Sequence, residues 1–281
     1  MKTDRPSRTA HLVALGRAMA DLGISHVPDF HDPTAAVFLN DKGKQSLAKV
    51  QHAALEGKDS FRLKAARGMA DMIALRTAAI DKAVRSAIGA GATQLVILGA
   101  GYDGRAWRMS ELAGVKVFEV DRSATQEDKR ARLGQLPAAN SIVNFVPIDF
   151  EHESLDSVLA SAGHDPSLPT CWIWEGVVMY LRREVMHATL TAIAARSATG
   201  SRLIVNYHEA HGGFIGRLMF RLIGEPQISN WTPADMAGDL RDVGFVVRED
   251  SGMTDWNEQF ANSEARVERG YYMRVAVAAK P

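Results

Sequence analysis

The 281-residue sequence predicts an α/β fold: a mostly parallel sheet with a terminal antiparallel strand, preceded by a cap of helices. Three observations carry that expectation. From Leu95 onward, short apolar runs alternate with helical patterns, as in a parallel sheet covered by helices. The first run opens into Gly99-Ala100-Gly101 and Gly104, with the spacing G-x-G-x-x-G. Later runs end in Asp121, Asp149, Glu175 and His208, so polar groups gather where open α/β sheets bind ligands. The chain is expected to divide into a helical cap or lid over 1–92 and a nucleoside-binding sheet domain over 93–281.

The cap shows helical punctuation and no convincing strand. Ser7 offers an N-cap, and Leu12, Leu15, Met19 and Leu22 follow at helical spacing until Gly23. His31-Asp32-Pro33-Thr34 marks a turn or a helix start. A long helix is predicted from about Phe61 to Ile88, with Leu63, Met69, Met72, Ile73, Leu75, Ile80, Val84 and Ile88 as its stripe. Such a layer either covers one end of the sheet or forms a lid that carries Arg8 and Arg76 into a pocket.

Leu95 to Leu98 and Val115 to Val120 are the first two strands. A charged helix over Ala124–Leu136 and a third strand over Ile142–Ile148 follow, then a helix near Ser154–Ala160. The fourth strand is Cys171–Trp174, and an apolar link from Val177 to Leu181 leads into a helix over Arg183–Ser197. The fifth strand is Ser201–Tyr207, and beyond Gly212-Gly213 an amphipathic piece spans Phe214 to Ile223. Thr232-Pro233 begins a helix well, with a cap followed by proline at the first helical position. Two last strands, at Gly244–Val247 and Tyr271–Val277, are separated by what looks like a polar loop.

The glycine motif and the acid after the second strand belong together chemically. Glycines let the backbone turn and approach a ligand, and Asp121, twenty positions beyond Gly101, suits ribose hydroxyls. Composition narrows the class further. Hydrophobic residues make up 46% and charged residues 23%, enough for a core and unlike a disordered chain. Lys plus Arg equals Asp plus Glu at 33 each, which weighs against a nucleic-acid partner. The single cysteine, Cys171, excludes an internal disulfide and any cysteine-based metal cluster, and no metal is expected. No apolar run reaches the ~20 residues of a membrane span, and no signal-peptide core follows Met1. No membrane partner is therefore expected, and a cytoplasmic location is the simplest.

Glycine spacing alone is shared by dinucleotide-dependent oxidoreductases and by methyltransferases. Arg105-Ala106-Trp107-Arg108 after Gly104 puts bulk near where a dinucleotide needs close approach, and Asp149 suits an adenine amino group. The run Leu98 to Met109, with Phe118-Glu119-Val120-Asp121, Asp149-Phe150 and Glu175 to Leu181, resembles the leucine carboxyl methyltransferase family. More narrowly, it is similar to a bacterial branch of S-adenosylmethionine-dependent O-methyltransferases abundant in actinobacteria. Ser7 to Ala10, His31-Asp32-Pro33 and Gly224-Glu225-Pro226 match that branch too, so the resemblance spans nearly the whole chain.

The resemblance implies a Rossmann-like class I methyltransferase fold with S-adenosylmethionine as cofactor. It implies Gly99, Ala100 and Gly101 against the amino-acid part, Asp121 on the ribose, and Asp149 with Phe150 at the adenine. Glu175 would lie near the methionine amino group, and Arg76 would hold the carboxylate. The family often has a proline soon after the second-strand Asp and a lysine further on. Here Arg122-Ser123-Ala124 follows, with Lys129 later.

The acceptor would be a small molecule or a peptide carboxylate. A carboxylate is already ionised at neutral pH and needs a cation, for which Arg8 and Arg105 are candidates. A hydroxyl would need a general base, and His208 is the best placed. Tyr102, Tyr180 and Tyr207 could wall the pocket. Two other readings stay open: an idle protein that binds S-adenosylmethionine, and a nicotinamide-dependent oxidoreductase. The acceptor and the oligomeric state are not encoded in any motif found.

Overall fold

The computed structural model describes residues 6–57, 60–149, 152–209, 228–261 and 272–281. Phe150, Gly212-Gly213, Phe214 to Ile223, Gly224-Glu225-Pro226 and Tyr271 lie outside the described residues. Seven strands form one sheet: β1 (Gln94–Leu98), β2 (Lys116–Asp121), β3 (Ile142–Pro147), β4 (Thr170–Trp174), β5 (Arg202–His208), β6 (Val246–Gly252) and β7 (Met273–Ala279). Their order is β3-β2-β1-β4-β5-β7-β6. Only β7 runs antiparallel to its neighbours, between β5 and β6. This is the predicted mostly parallel sheet with its antiparallel terminal strand, in the Rossmann-like arrangement of class I methyltransferases. β1 and β4 are buried along their whole length, because helices cover both faces there.

One face carries α1 (Arg8–Asp21), α4 (Phe61–Gly89) and the helix Met253–Phe260. Met19, Leu75, Ile80 and Val84 share a single apolar cluster with Leu95, Ile97, Val117 and Ile173. α4 and the later part of α1 therefore lie across a face of the sheet, while Ala14, Ala18, Ala35, Phe38 and Leu39 pack with Tyr102 beyond the carboxyl end of β1. The other face holds Val96, Leu98, Trp172, Trp174 and Leu203 against α8 (Arg183–Ala195) and α9 (Pro233–Asp242).

Local signals set the element ends. The hydroxyls of Ser7 and Ser60 accept the N–H groups of Ala10 and Leu63, which starts α1 and α4. α9 opens on a capping box between Thr232 and Asp235. Two helices escaped the sequence pattern. α3 (Asp41–Leu55) has no fully buried residue. The expected polar loop contains α10 (Met253–Phe260), whose Met253 and Trp256 bury themselves while Asp255 accepts the Gly252 N–H.

Candidate functional site

The carboxyl ends of β1, β2, β4 and β5 converge as expected, and the loop after β1 is the hub. The Gly99 and Ala100 amides both donate to the Val120 carbonyl, at 2.8 and 3.1 Å. The Gly101 amide donates to Asp121 Oδ2 at 2.5 Å, and the Arg122 amide to Oδ1 at 2.6 Å. Gly99 sits at φ +67°, and a Cβ there would overlap the Val177 side chain from the segment after β4. At Gly104 a Cβ would overlap Thr34 Oγ1, so the third glycine admits the cap rather than a ligand. Asp149 lies beside this region, since the adjoining Ile148 amide donates to the Asp121 carbonyl at 3.0 Å. Its carboxylate is exposed, 4.0 Å from His152 Nε2.

Glu175, one residue beyond β4, occupies a different environment. Its Oε1 receives Arg76 Nη2 at 2.8 Å and Arg17 Nη2 at 3.0 Å, and its Oε2 receives Arg105 Nη1 at 3.0 Å. Burial alone would raise the Glu175 carboxyl, but Arg76, Arg17 and Arg105 outweigh it and hold the group well below its ordinary value. The network extends outward from there. Arg105 Nε meets Asp81 Oδ1 at 2.7 Å, and its Nη1 also pairs with Asp103. Arg108 Nη1 meets Asp81 Oδ2 at 2.6 Å, and its Nε lies 3.3 Å from Asp32. Four guanidiniums, Arg17, Arg76, Arg105 and Arg108, thus face four carboxylates, Asp32, Asp81, Asp103 and Glu175. A neutral, alternating cluster is the form in which buried charges are tolerated.

The cap enters the site through this cluster, and not as the sequence suggested. Arg76 on α4, expected to hold a cofactor carboxylate, pairs with Glu175. Its Nε is buried without a partner among the described residues. Arg8 is exposed at the start of α1; the cation that α1 delivers to Glu175 is Arg17. Arg105, expected to meet an acceptor, is fully buried among Asp81, Asp103 and Glu175. Arg17, Asp81 and Asp103 went unrecognised. A signal for Arg17 was present: it shares a helical face with Ala10 and Ala14, and such small residues mark a side that packs closely.

His208, the last residue of β5, titrates at about 3, lowered by burial and then by the charge of Arg76. It is neutral at pH 7. Tyr102 and Tyr207 are committed elsewhere: Tyr102 Oη contacts Asp128 at 2.5 Å and His11 Nε2 at 3.0 Å, and Tyr207 Oη donates to Asp250 at 2.6 Å. Between the strands, the buried Asn206 accepts the Gly176 N–H at 3.3 Å and donates to the Arg274 carbonyl at 3.0 Å. That bond steadies the turn behind Glu175.

The model of the leucine carboxyl methyltransferase family matches residues 10–194. A protein from Mycolicibacterium smegmatis, described as a "Putative S-adenosyl-L-methionine-dependent methyltransferase", is 36% identical over 241 residues. That alignment covers 84% of this chain and 75% of the relative. A Frankia alni protein with the same description is 34% identical over 195 residues, 69% of this chain and 66% of its own. Among solved structures, a duf574 family protein from Streptomyces avermitilis superposes with a TM-score of 0.61 at 14% identity, covering 98% of each chain. Magnesium protoporphyrin IX methyltransferase from Synechocystis, with bound S-adenosylhomocysteine, superposes at 0.50 with 17% identity, covering 86% of this chain and 95% of its own. At those identities the superpositions speak for the fold, while the family match and the 36% relative speak for descent. The chain belongs to the leucine carboxyl methyltransferase family.

Proposed function

We propose that this methyltransferase uses S-adenosylmethionine to methylate an oxygen of a small molecule or peptide, a carboxylate in preference to a hydroxyl. The observation that carries the reading is the pairing of two unlike ends along the carboxyl edge of one sheet. At one end Glu175 stands among Arg17, Arg76 and Arg105. This set offers a carboxylate to an amino group and guanidiniums to a carboxylate, and the buried Arg76 Nε has a donor to spare. At the other end Asp121 and Asp149 present carboxylates at the ends of β2 and β3, suited to ribose and adenine. The donor set fits an amino acid joined to a nucleoside, and the Gly99, Ala100 and Gly101 amides that a pyrophosphate would need already donate to Val120 and Asp121.

When bound, the cofactor supplies an activated methyl group on a sulfonium. The chain's own residues then have to align an acceptor and exclude water, and alignment of that kind is worth roughly 7–11 kcal/mol. Glu175 and Arg76 hold the cofactor's amino-acid end, the glycine loop lies along it, and Asp121 fixes the ribose. Arg105 acts through Glu175, as a positioning residue. The preference for a carboxylate acceptor rests on His208. A general base works best with a pKa near the operating pH, and burial beside Arg76 holds this imidazole far lower. A carboxylate needs no base.

The test is calorimetric titration with S-adenosylmethionine, S-adenosylhomocysteine and NAD, followed by transfer of labelled methyl to a panel of carboxylic acids and phenols. Binding of the first two and labelling of carboxylic acids is the expected result. Binding of NAD alone would overturn the cofactor. Binding without transfer to any acceptor would favour an idle binding protein, and labelling of phenols alone would restore His208 as base.

A further inference from the structure

We propose that Lys129 is a positioning residue that pins the far end of the glycine loop to β2; this rests on the cofactor reading above. Lys129, on α6 (Ser123–Arg132), is 1% exposed. Its Nζ donates to Glu119 Oε2 and to the Asp103 carbonyl, each at 2.6 Å. The rings of Trp107 and Phe38 flank the ammonium, with centroids at 5.2 and 5.5 Å.

Glu119 and Asp121 are two residues apart on one strand, so their side chains leave the same face of β2. Asp121 takes hold of the loop directly, through the Gly101 amide at 2.5 Å. Glu119 holds it through Lys129, at Asp103. The loop is therefore fixed at both ends by one face of one strand, with the ammonium bridging the longer gap. Between these anchors the Asp103 amide closes a turn on the Ala100 carbonyl at 2.8 Å, and the Arg105 amide bonds Asp103 Oδ1 at 2.8 Å.

Stability alone does not account for such a pair. An apolar pair of similar volume is often as stable as a buried ion pair or more so. Glu119 Oε1 is also buried with no hydrogen-bond partner among the described residues, an arrangement that packing for stability would avoid. What the bridge adds is a fixed spacing between β2 and Asp103, which an apolar pair would not impose.

The experiment compares wild type with the double variant E119M/K129M and with K129Q. K129Q serves where the double variant fails to fold; its shorter amide cannot span both acceptors. Two quantities are read: amide hydrogen exchange in the ligand-free protein, and affinity for S-adenosylhomocysteine. The expected result is a melting temperature near wild type for the double variant and a lower one for K129Q, which strands Glu119; in both, about tenfold faster exchange confined to Gly101, Asp103 and Arg105, and about tenfold weaker affinity, as for loss of a charge-assisted hydrogen bond. Unchanged loop exchange in a folded variant overturns the proposal. So does faster exchange with unchanged affinity, which would make the bridge irrelevant to the cofactor. If wild type itself fails to bind S-adenosylhomocysteine, the functional reading falls, and the exchange measurement alone decides the pinning.

Discussion

Two carboxylates at the carboxyl edge of the same sheet are held in opposite ways. Asp121 takes its hydrogen bonds from backbone amides of Gly101 and Arg122, on the glycine loop and at its own neighbour. Glu175 takes its partners from three side chains that approach from α1, α4 and the short helix Arg105–Arg108 after β1, remote along the chain. Backbone donors cost little further ordering once the strand and loop have formed. Guanidiniums on separate helices must be brought together by packing, and each adds a buried charge that has to be balanced. The Asp121 end is thus a local construction, whereas the Glu175 end depends on α1 and α4 being in place.

The largest effect should come from breaking the second arrangement. Glu175→Ala takes the carboxylate from the buried Arg17 and Arg76 and one of three from Arg105, and should cost about 3–5 kcal/mol, measured by urea denaturation. Its pH dependence has a fixed sign. The folded pKa of Glu175 lies below its ordinary value of 4.5, so the stabilisation is complete above that value and is lost as pH falls through the folded pKa. The stability gap between wild type and Glu175→Gln should accordingly be flat at neutral pH and shrink in acid. A gap that widens in acid would contradict the ion-pair assignment.

Gly99→Ala comes next, since it combines left-handed backbone with overlap at Val177; a loss of about 2–3 kcal/mol is expected from the thermal midpoint. Asp121→Ala should be milder for the fold, near 1–2 kcal/mol, because two amides lose their acceptor at a partly exposed site. It should nevertheless weaken S-adenosylhomocysteine in calorimetry, and unchanged affinity would remove the ribose role. The smallest change is expected for His208→Gln. With a carboxylate acceptor its rate should stay within a few-fold of wild type, and the rate profile should show no break near pH 6–7. A loss of about a hundredfold or more would make His208 the base after all.

What sequence alone could determine follows the same division. Strand and helix identity, the Ser7 and Thr232 caps and the glycine turn all rest on neighbours within a few positions, where pattern and propensity act. So does the placing of Asp121, Asp149, Glu175 and His208 at strand ends. α3 and α10 were lost because few of their residues are buried, none in α3 and only Met253 and Trp256 in α10, so polar residues dominate their sequence. The exchange of Arg8 for Arg17 was decided only by how α1 crosses α4, which sets the face that meets Glu175. The enclosure of Arg105 by Asp81 and Asp103 likewise needed α4 seated on the sheet. A charge declares its type in the sequence, but its partner is chosen by the packing of apolar surfaces far along the chain.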